Sequence, residues 1–128
     1  MREFRNLVDL ASRKLGSSVM AASDEAFAEK ENLINAHRPQ FTAETFGNKG
    51  QEYDGWETRR RRDDGFDWAL VRLGAPGRIA GVVIDTAHFK GNYPPFVSVE
   101  ATCLDGVASL ERLATAQWTV LVPKSDAK

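Results

Sequence analysis

A chain of 128 residues with 42% hydrophobic content is long enough for one domain with a core and too short for two of ordinary size. Its 17 basic and 18 acidic side chains nearly cancel, so no global field favours nucleic acid, and the lone cysteine, Cys103, excludes an internal disulfide framework and fits a reducing compartment. The N-terminal residues lack the apolar segment of a signal peptide, and no apolar run approaches the roughly 20 residues that span a bilayer, so a soluble, cytoplasmic protein with neither nucleic acid nor membrane as partner is expected.

Leu7, Leu10, Ala11 and Leu15 fall at i, i+3, i+4 and i+8, which predicts a short N-terminal helix with one apolar face and Gly16 as its stop. Residues 17–23 read as a short strand. Residues 24–32 form a polar, weakly helical turn for which Phe27 and Leu33 are the expected anchors. Their acidic cluster lacks the alternating oxygen ligands and central glycine of a calcium loop, so it reads as solvated. From residue 35 to 52 the composition is loop-like, with Pro39, Gly47, Asn48 and Gly50 and at most a short strand at 40–42; a long irregular loop in a small domain is often functional.

Asp54-Gly55 marks a turn, after which residues 56–62 can extend as a strand. Alternation then places Glu57, Arg59 and Arg61 on one side and Trp56, Thr58, Arg60 and Arg62 on the other, so at most half of the four consecutive arginines would line a given surface. One reading of that run is a solvated, charged edge strand. Another is an anion clamp, since guanidinium groups hold carboxylates through paired hydrogen bonds. A nucleic-acid surface is disfavoured, because Asp54, Glu57, Asp63 and Asp64 cancel much of the local field.

Residues 67–73 form a second strand of this stretch, closed by a Gly-Ala-Pro-Gly turn, and residues 78–89 a third, apolar on both faces as in the interior of a sandwich. Its polar groups gather at the C-terminal end. Residues 91–95 make a rigid turn, and residues 96–103 a strand with Val97, Val99, Ala101 and Cys103 on one side and Ser98 and Glu100 on the other. Residues 104–114 carry no clear pattern, residues 117–122 give another strand, and Pro123 begins a polar tail. Short strands, turn signals and no βαβ rhythm predict an all-β sandwich, a jelly roll with a short N-terminal helix, over residues 1–128. The chain stops where such a sandwich needs another strand, so a fragment, or a partner that completes the sheet, is expected.

Four motifs carry a family resemblance: D-G-W-E-T-R-R-R-R, D-W-A-L-V-R-L-G-A-P-G, D-T-A-H-F-K-G-N-Y-P-P and S-V-E-A, in this order and at these separations. With D-L-A-S-R-K-L-G-S-S-V-M-A-A-S-D-E-A-F and E-N-L-I upstream, they are similar to the first repeat of the allantoicase (allantoate amidinohydrolase) family, over most of residues 7–123. The resemblance implies two galactose-binding-like jelly-roll repeats, of which this chain holds the first without its last strands. It also implies hydrolysis of allantoate to ureidoglycolate and urea in purine (allantoin) degradation. A second repeat or further copies of the chain are the implied protein partners.

Allantoate carries one carboxylate and two ureido groups on one carbon. A site for it needs a cation, oriented donors and acceptors, and an acid/base pair to release urea and activate water. Arg59 or Arg61 could clamp the carboxylate, Asn92 could read a ureido group, and His88 with Asp85, Glu57 or Glu100 could move protons. His88 and Asp85 leave opposite faces of an ideal strand, so they cooperate only if a bulge or strand end redirects one of them. Each has a plain structural alternative: Asp85 and Asn92 suit turns, Glu100 can pair with an arginine, and His88 can serve as a hydrogen-bond partner. A divalent metal could be held by His88 with a carboxylate, but no compact motif such as H-E-x-x-H is present and no cofactor is assigned. Cys103, expected on an apolar strand side with no base nearby in sequence, does not read as a nucleophile. A non-catalytic jelly-roll module using the same rim to bind a small polar ligand or a protein stands as the alternative function.

Overall fold

Two short polar side chains decide how the N-terminal segment folds. In the computed structural model, which describes residues 3–36, 46–47, 50–51, 55–86 and 93–127, the Asp9 carboxylate accepts a hydrogen bond from the Ala11 N–H at 3.0 Å. The Ser12 hydroxyl likewise accepts from the Lys14 N–H at 3.2 Å. Such local bonds give the backbone an alternative to helix. The expected helix through Leu7, Leu10, Ala11 and Leu15 is therefore replaced by two 3-10 turns, Phe4–Asn6 and Arg13–Leu15. Gly16 does end its turn, at φ 93° in the left-handed region that glycine enters without a Cβ penalty.

The chain divides into two units, Met1–His88 and Phe89–Lys128. In the first, β1 (Ser18–Ala22) pairs antiparallel with β4 (Ala69–Arg72), with Ser18 opposite Arg72 and Ala22 opposite Ala69, and the register shifts between Val19 and Ala21. A 3-10 turn, Lys30–Ile34, packs on β1. Val19, Ala28 and Ile34 are the buried apolar residues of this unit among those described. The expected anchors Phe27 and Leu33 are exposed; the residue after each takes the inner place. Ala28 is drawn in by its antiparallel bridge to Glu57, which turns its neighbour outward. Two-residue strands β2 (Phe46–Gly47) and β3 (Gly50–Gln51) form a further antiparallel pair inside the expected 35–52 loop. The strand expected at 40–42 lies outside the described residues.

Residues 78–86 depart most from expectation. They join no ladder among the described residues, and Ile79, Val82, Val83 and Ile84 are exposed, Val83 at 60%. A strand apolar on both faces needs a neighbour beside it and a layer over each face, and apolar pattern alone supplies neither. What meets this stretch is the N-terminal segment. A Cβ on Gly77 would come within 2.9 Å of the Leu10 side chain, and one on Gly81 within 2.7 Å of the Phe4 ring, so both side chains rest against its backbone.

In the second unit β5 (Phe96–Ala101) pairs antiparallel with β6 (Thr119–Asp126), Phe96 opposite Asp126 and Ala101 opposite Thr119. Along β5 the half-buried positions are Val97, Val99 and Ala101, and Phe96, Ser98 and Glu100 are exposed, as the alternation predicts. Cys103 lies beyond the end of β5 and is exposed, not on an apolar strand side. β6 runs past Pro123, where a tail was expected. The register shifts between Val97 and Val99, opposite Ser125 and Val122, and such an irregularity accommodates a residue with no N–H to give. Residues 110–115, left unassigned by pattern, form the helix α1 (Leu110–Thr115), capped by the Ser109 hydroxyl, which accepts from the Arg112 N–H. Leu113 is buried, and its carbonyl accepts from the Trp118 indole N–H at 3.0 Å.

The described elements are thus mostly strands in three two-stranded antiparallel sheets, with one short α-helix placed late in the chain and not at its start. No helix among the described residues is long and apolar enough to cross a membrane.

Candidate functional site

The arginine run is held from both sides by backbone pairing. Glu57 bridges Ala28: its N–H donates to the Ala28 carbonyl at 3.3 Å, and its carbonyl accepts from the Phe27 and Ala28 N–H groups at 3.1 Å each. The Trp56 indole N–H donates to the Asp24 carbonyl at 2.8 Å, and the Asn32 side-chain amide donates to the Gly55 carbonyl at 3.1 Å. Asp24 completes this wall. One carboxylate oxygen accepts from the Ala26 N–H at 2.9 Å and from the Arg59 N–H at 3.0 Å, which fixes the backbone where the arginines begin.

The other wall follows from the register of β1 and β4. Because Ala22 faces Ala69, the residues just outside that pair also meet: the Ser23 N–H donates to the Trp68 carbonyl at 2.9 Å, and the Trp68 N–H donates to the Ser23 hydroxyl at 3.1 Å. The Ser23 hydroxyl in turn donates to Asp67 at 2.9 Å, and Thr58 donates to the other Asp67 oxygen at 3.3 Å. Arg61 is paired twice, with one terminal nitrogen 2.8 Å from Asp67 and the other 2.9 Å from Asp63. The Arg61 hydrogen bond, helped by those of Ser23 and Thr58 and opposed by partial burial, holds the Asp67 carboxyl below its usual range. Arg61 is correspondingly pushed up, first by Asp67 and then by Asp63.

Between these walls lies a cleft of about 480 Å³. It is lined by Ser23, Asp24, Asp63 and Asp67 together with Arg59, Arg60, Arg61 and Arg62. All four arginines line it, where strand alternation allowed half, because residues 58–68 carry no strand and the only pairing in the run is the Glu57 bridge. Their roles differ. The Arg59 side chain is 77% exposed, with Nε 4.0 Å from Asp24, and Arg61 is 32% exposed and doubly paired. Arg60 and Arg62 are exposed and make no ion pair among the described residues.

Of the residues singled out from sequence, Arg59 and Arg61 are brought into one cleft. Glu57 is half-buried and not among the lining residues, and burial pushes its carboxyl up. Asp85 is exposed near the end of the 78–86 stretch and does not line the cleft either. Glu100 lies on the exposed face of β5, opposite Val120, in the other unit. His88 and Asn92 lie outside the described residues. No three His, Cys, Asp or Glu side chains gather as metal ligands among the described residues.

The family model for the allantoicase repeat matches residues 8–128. The chain belongs to the allantoicase family. A probable allantoicase of Streptomyces avermitilis is 51% identical over 134 aligned residues, which cover 95% of this chain and 36% of that protein. The allantoicase of Dictyostelium discoideum is 44% identical over 92% of this chain and 32% of its own length. Among solved structures, one described as the structure of allantoicase aligns with TM-score 0.73 at 35% identity. The crystal structure of allantoicase from Saccharomyces cerevisiae aligns at 0.66 and 34%. Each alignment covers 93% of this chain and 35% of that one. The chain therefore spans about a third of the length of the allantoicases it matches.

Sequence reasoning missed Ser23, Asp24 and Asp67, the residues that build the cleft of this allantoicase-family chain. The signal for them was pairing, not composition: once residues 18–22 and 69–72 are set antiparallel, Ser23 and Asp67 must flank the same end of the ladder, and Asp24 meets Trp56 and Arg59 beside the Ala28–Glu57 bridge.

Proposed function

We propose that the chain is the portion of an allantoicase that holds the substrate carboxylate, in the hydrolysis of allantoate to ureidoglycolate and urea. The observation that carries this reading is the 51% identity, over 95% of the chain, to a protein named a probable allantoicase. The cleft supports it: a space of about 480 Å³ suits a small polar ligand, and four arginines line it, Arg59 and Arg61 among them, a residue type suited to a carboxylate.

In the reaction, water adds to the carbon that bears the carboxylate, the bond from that carbon to one ureido nitrogen breaks, and the leaving urea takes up a proton. One group accepts the proton of water and another supplies the proton to nitrogen. Glu57, with its carboxyl pushed up by burial, suits the donor. His88, Asp85 and Glu100 are the remaining proton carriers, and Asn92 the group that reads a ureido arm. The wider setting belongs to the same proposal: residues 1–128 as a single jelly-roll repeat of galactose-binding type, partnered by a second repeat or by further copies, in the cytoplasm. The lone cysteine and the mainly β character of the chain support that setting.

A second reading, a non-catalytic module that binds a small polar ligand, is favoured by one observation: neither Glu57 nor Asp85 lines the cleft. A urea-release assay with allantoate separates the two, run on the full polypeptide alone and with a second allantoicase repeat supplied. Turnover in either arm is the expected result. Allantoate binding with no urea released in both arms overturns the enzymatic reading and leaves the binding module.

A further inference from the structure

We infer that the cleft is charge-matched to a single carboxylate, that Arg60 and Arg62 are the residues that hold it, and that Arg61 is a strut that positions them. This rests on the allantoate reading and divides labour within the same site. Four arginines and three aspartates line the cleft, a surplus of one positive charge. Arg61 spends its terminal nitrogens on two of those aspartates, at 2.8 and 2.9 Å. The third, Asp24, faces Arg59 at 4.0 Å and accepts its backbone N–H. The cations left without a counter-charge among the described residues are Arg60 and Arg62, both exposed on the cleft. They flank Arg61 in sequence, so the strut that ties Arg61 to Asp67 also fixes the backbone from which both neighbours project.

The charge surplus sets the ligand class. One carboxylate neutralises the cleft, whereas a dianion such as phosphate reverses its sign beside three aspartates and meets repulsion. The aspartates add a second preference, because any carboxylate oxygen not taken up by arginine accepts N–H groups. A small molecule with one carboxylate and neutral, N–H-rich arms satisfies both. A monovalent inorganic anion satisfies only the first, and a dianion neither.

The test uses the full polypeptide and two readouts. Allantoate binding is measured by calorimetry, with melting temperature alongside, for wild type, Arg60→Gln, Arg62→Gln and Arg61→Gln. Loss of a charge-assisted hydrogen bond predicts binding weakened about ten-fold in each of the first two variants at unchanged melting temperature. Arg61→Gln is expected to lower the melting temperature. Wild-type affinity in the Arg60 and Arg62 variants, or weakened binding at unchanged melting temperature in the Arg61 variant, overturns the division. The second readout does not depend on allantoate: phenylglyoxal, which adds to free guanidinium groups, is applied and the labelled positions are read by fragmentation mass spectrometry. Arg60 and Arg62 are expected to label quickly and Arg61 slowly, and hydantoate, a monocarboxylate with one ureido arm, to protect the first two better than phosphate does. Rapid labelling of Arg61 removes the strut, and stronger protection by phosphate removes the single-charge match. If the labelling pattern holds but allantoate neither binds nor protects, the substrate reading falls and the division of labour stands.

Discussion

Two stretches of the first unit, the arginine run at residues 56–62 and residues 78–89, described as far as residue 86, were both read as strands, and they met different fates. The first is not a strand, yet specific polar contacts pin it at several points: Glu57 by a backbone bridge, Trp56 by a carbonyl, Thr58 and Arg61 by Asp67. The second has the stronger strand composition, and its apolar side chains stand exposed. Specific polar contacts fix a segment one partner at a time. An apolar strand is fixed only by a whole sheet, so its order depends on more distant parts of the chain.

The largest expected effect tests this contrast directly. Ile34 is 4% exposed in the turn packed on β1, and truncation to alanine there should cost about 2–4 kcal/mol in thermal or denaturant unfolding. Val83, at 60% exposure, should tolerate the same change within about 0.5 kcal/mol. Equal losses at the two positions would mean that residues 78–86 are packed after all, and the contrast would disappear.

Asp67→Asn comes next and sharpens the other half of the comparison. The substitution removes a carboxylate that accepts from Arg61, Ser23 and Thr58, and should cost about 1–2 kcal/mol at neutral pH after allowance for the water that still reaches it. The pH dependence follows from the lowered carboxyl. Because Asp67 binds its proton less readily folded than unfolded, its contribution is present above the ordinary aspartate value of about 3.9 and is lost as pH falls through the lower folded value. An acid melt should therefore show the gap between wild type and Asp67→Asn closing below about pH 4. A constant gap would assign the loss to packing and not to the Arg61 pair.

These stretches also mark what could be read from sequence. The β1 strand, the left-handed Gly16, the alternation along β5 and the presence of a strand near residues 119–126 were legible because each depends on near neighbours: a period of two, or a residue without a Cβ. The N-terminal helix was misread because Asp9 and Ser12 bond locally, an effect that a tally of apolar spacing ignores. α1 was missed although Ser109 precedes Leu110, Leu113 and Ala114 at helical spacing, a short pattern with a cap. In the cleft, Arg59 and Arg61 were legible as residue types suited to an anion. Asp24 and Asp67 were not, because their importance comes from pairing between segments more than 30 residues apart, which no local window contains.

The smallest effect concerns Glu57, where the two demands on the 56–62 stretch meet. The bridge to Ala28 carries its backbone inward, and the carboxylate, with no hydrogen bond among the described residues, must follow into partial burial. Burial disfavours the charged form and raises the folded carboxyl above the unfolded value, so stability is greatest below about pH 4.3 and declines as pH rises through the folded value. Glu57→Gln keeps the shape without the charge. It should match wild type in unfolding free energy in acid and exceed it at neutral pH, by at most about 0.5 kcal/mol once solvent screening is allowed for. If Glu57 is also the proton donor to the leaving urea, the same variant should lose allantoate turnover while gaining that small stability, a pairing that a purely structural glutamate would not produce. A Glu57→Gln variant less stable than wild type at neutral pH would show that the carboxylate is satisfied where it stands, and would remove the reason for its raised value.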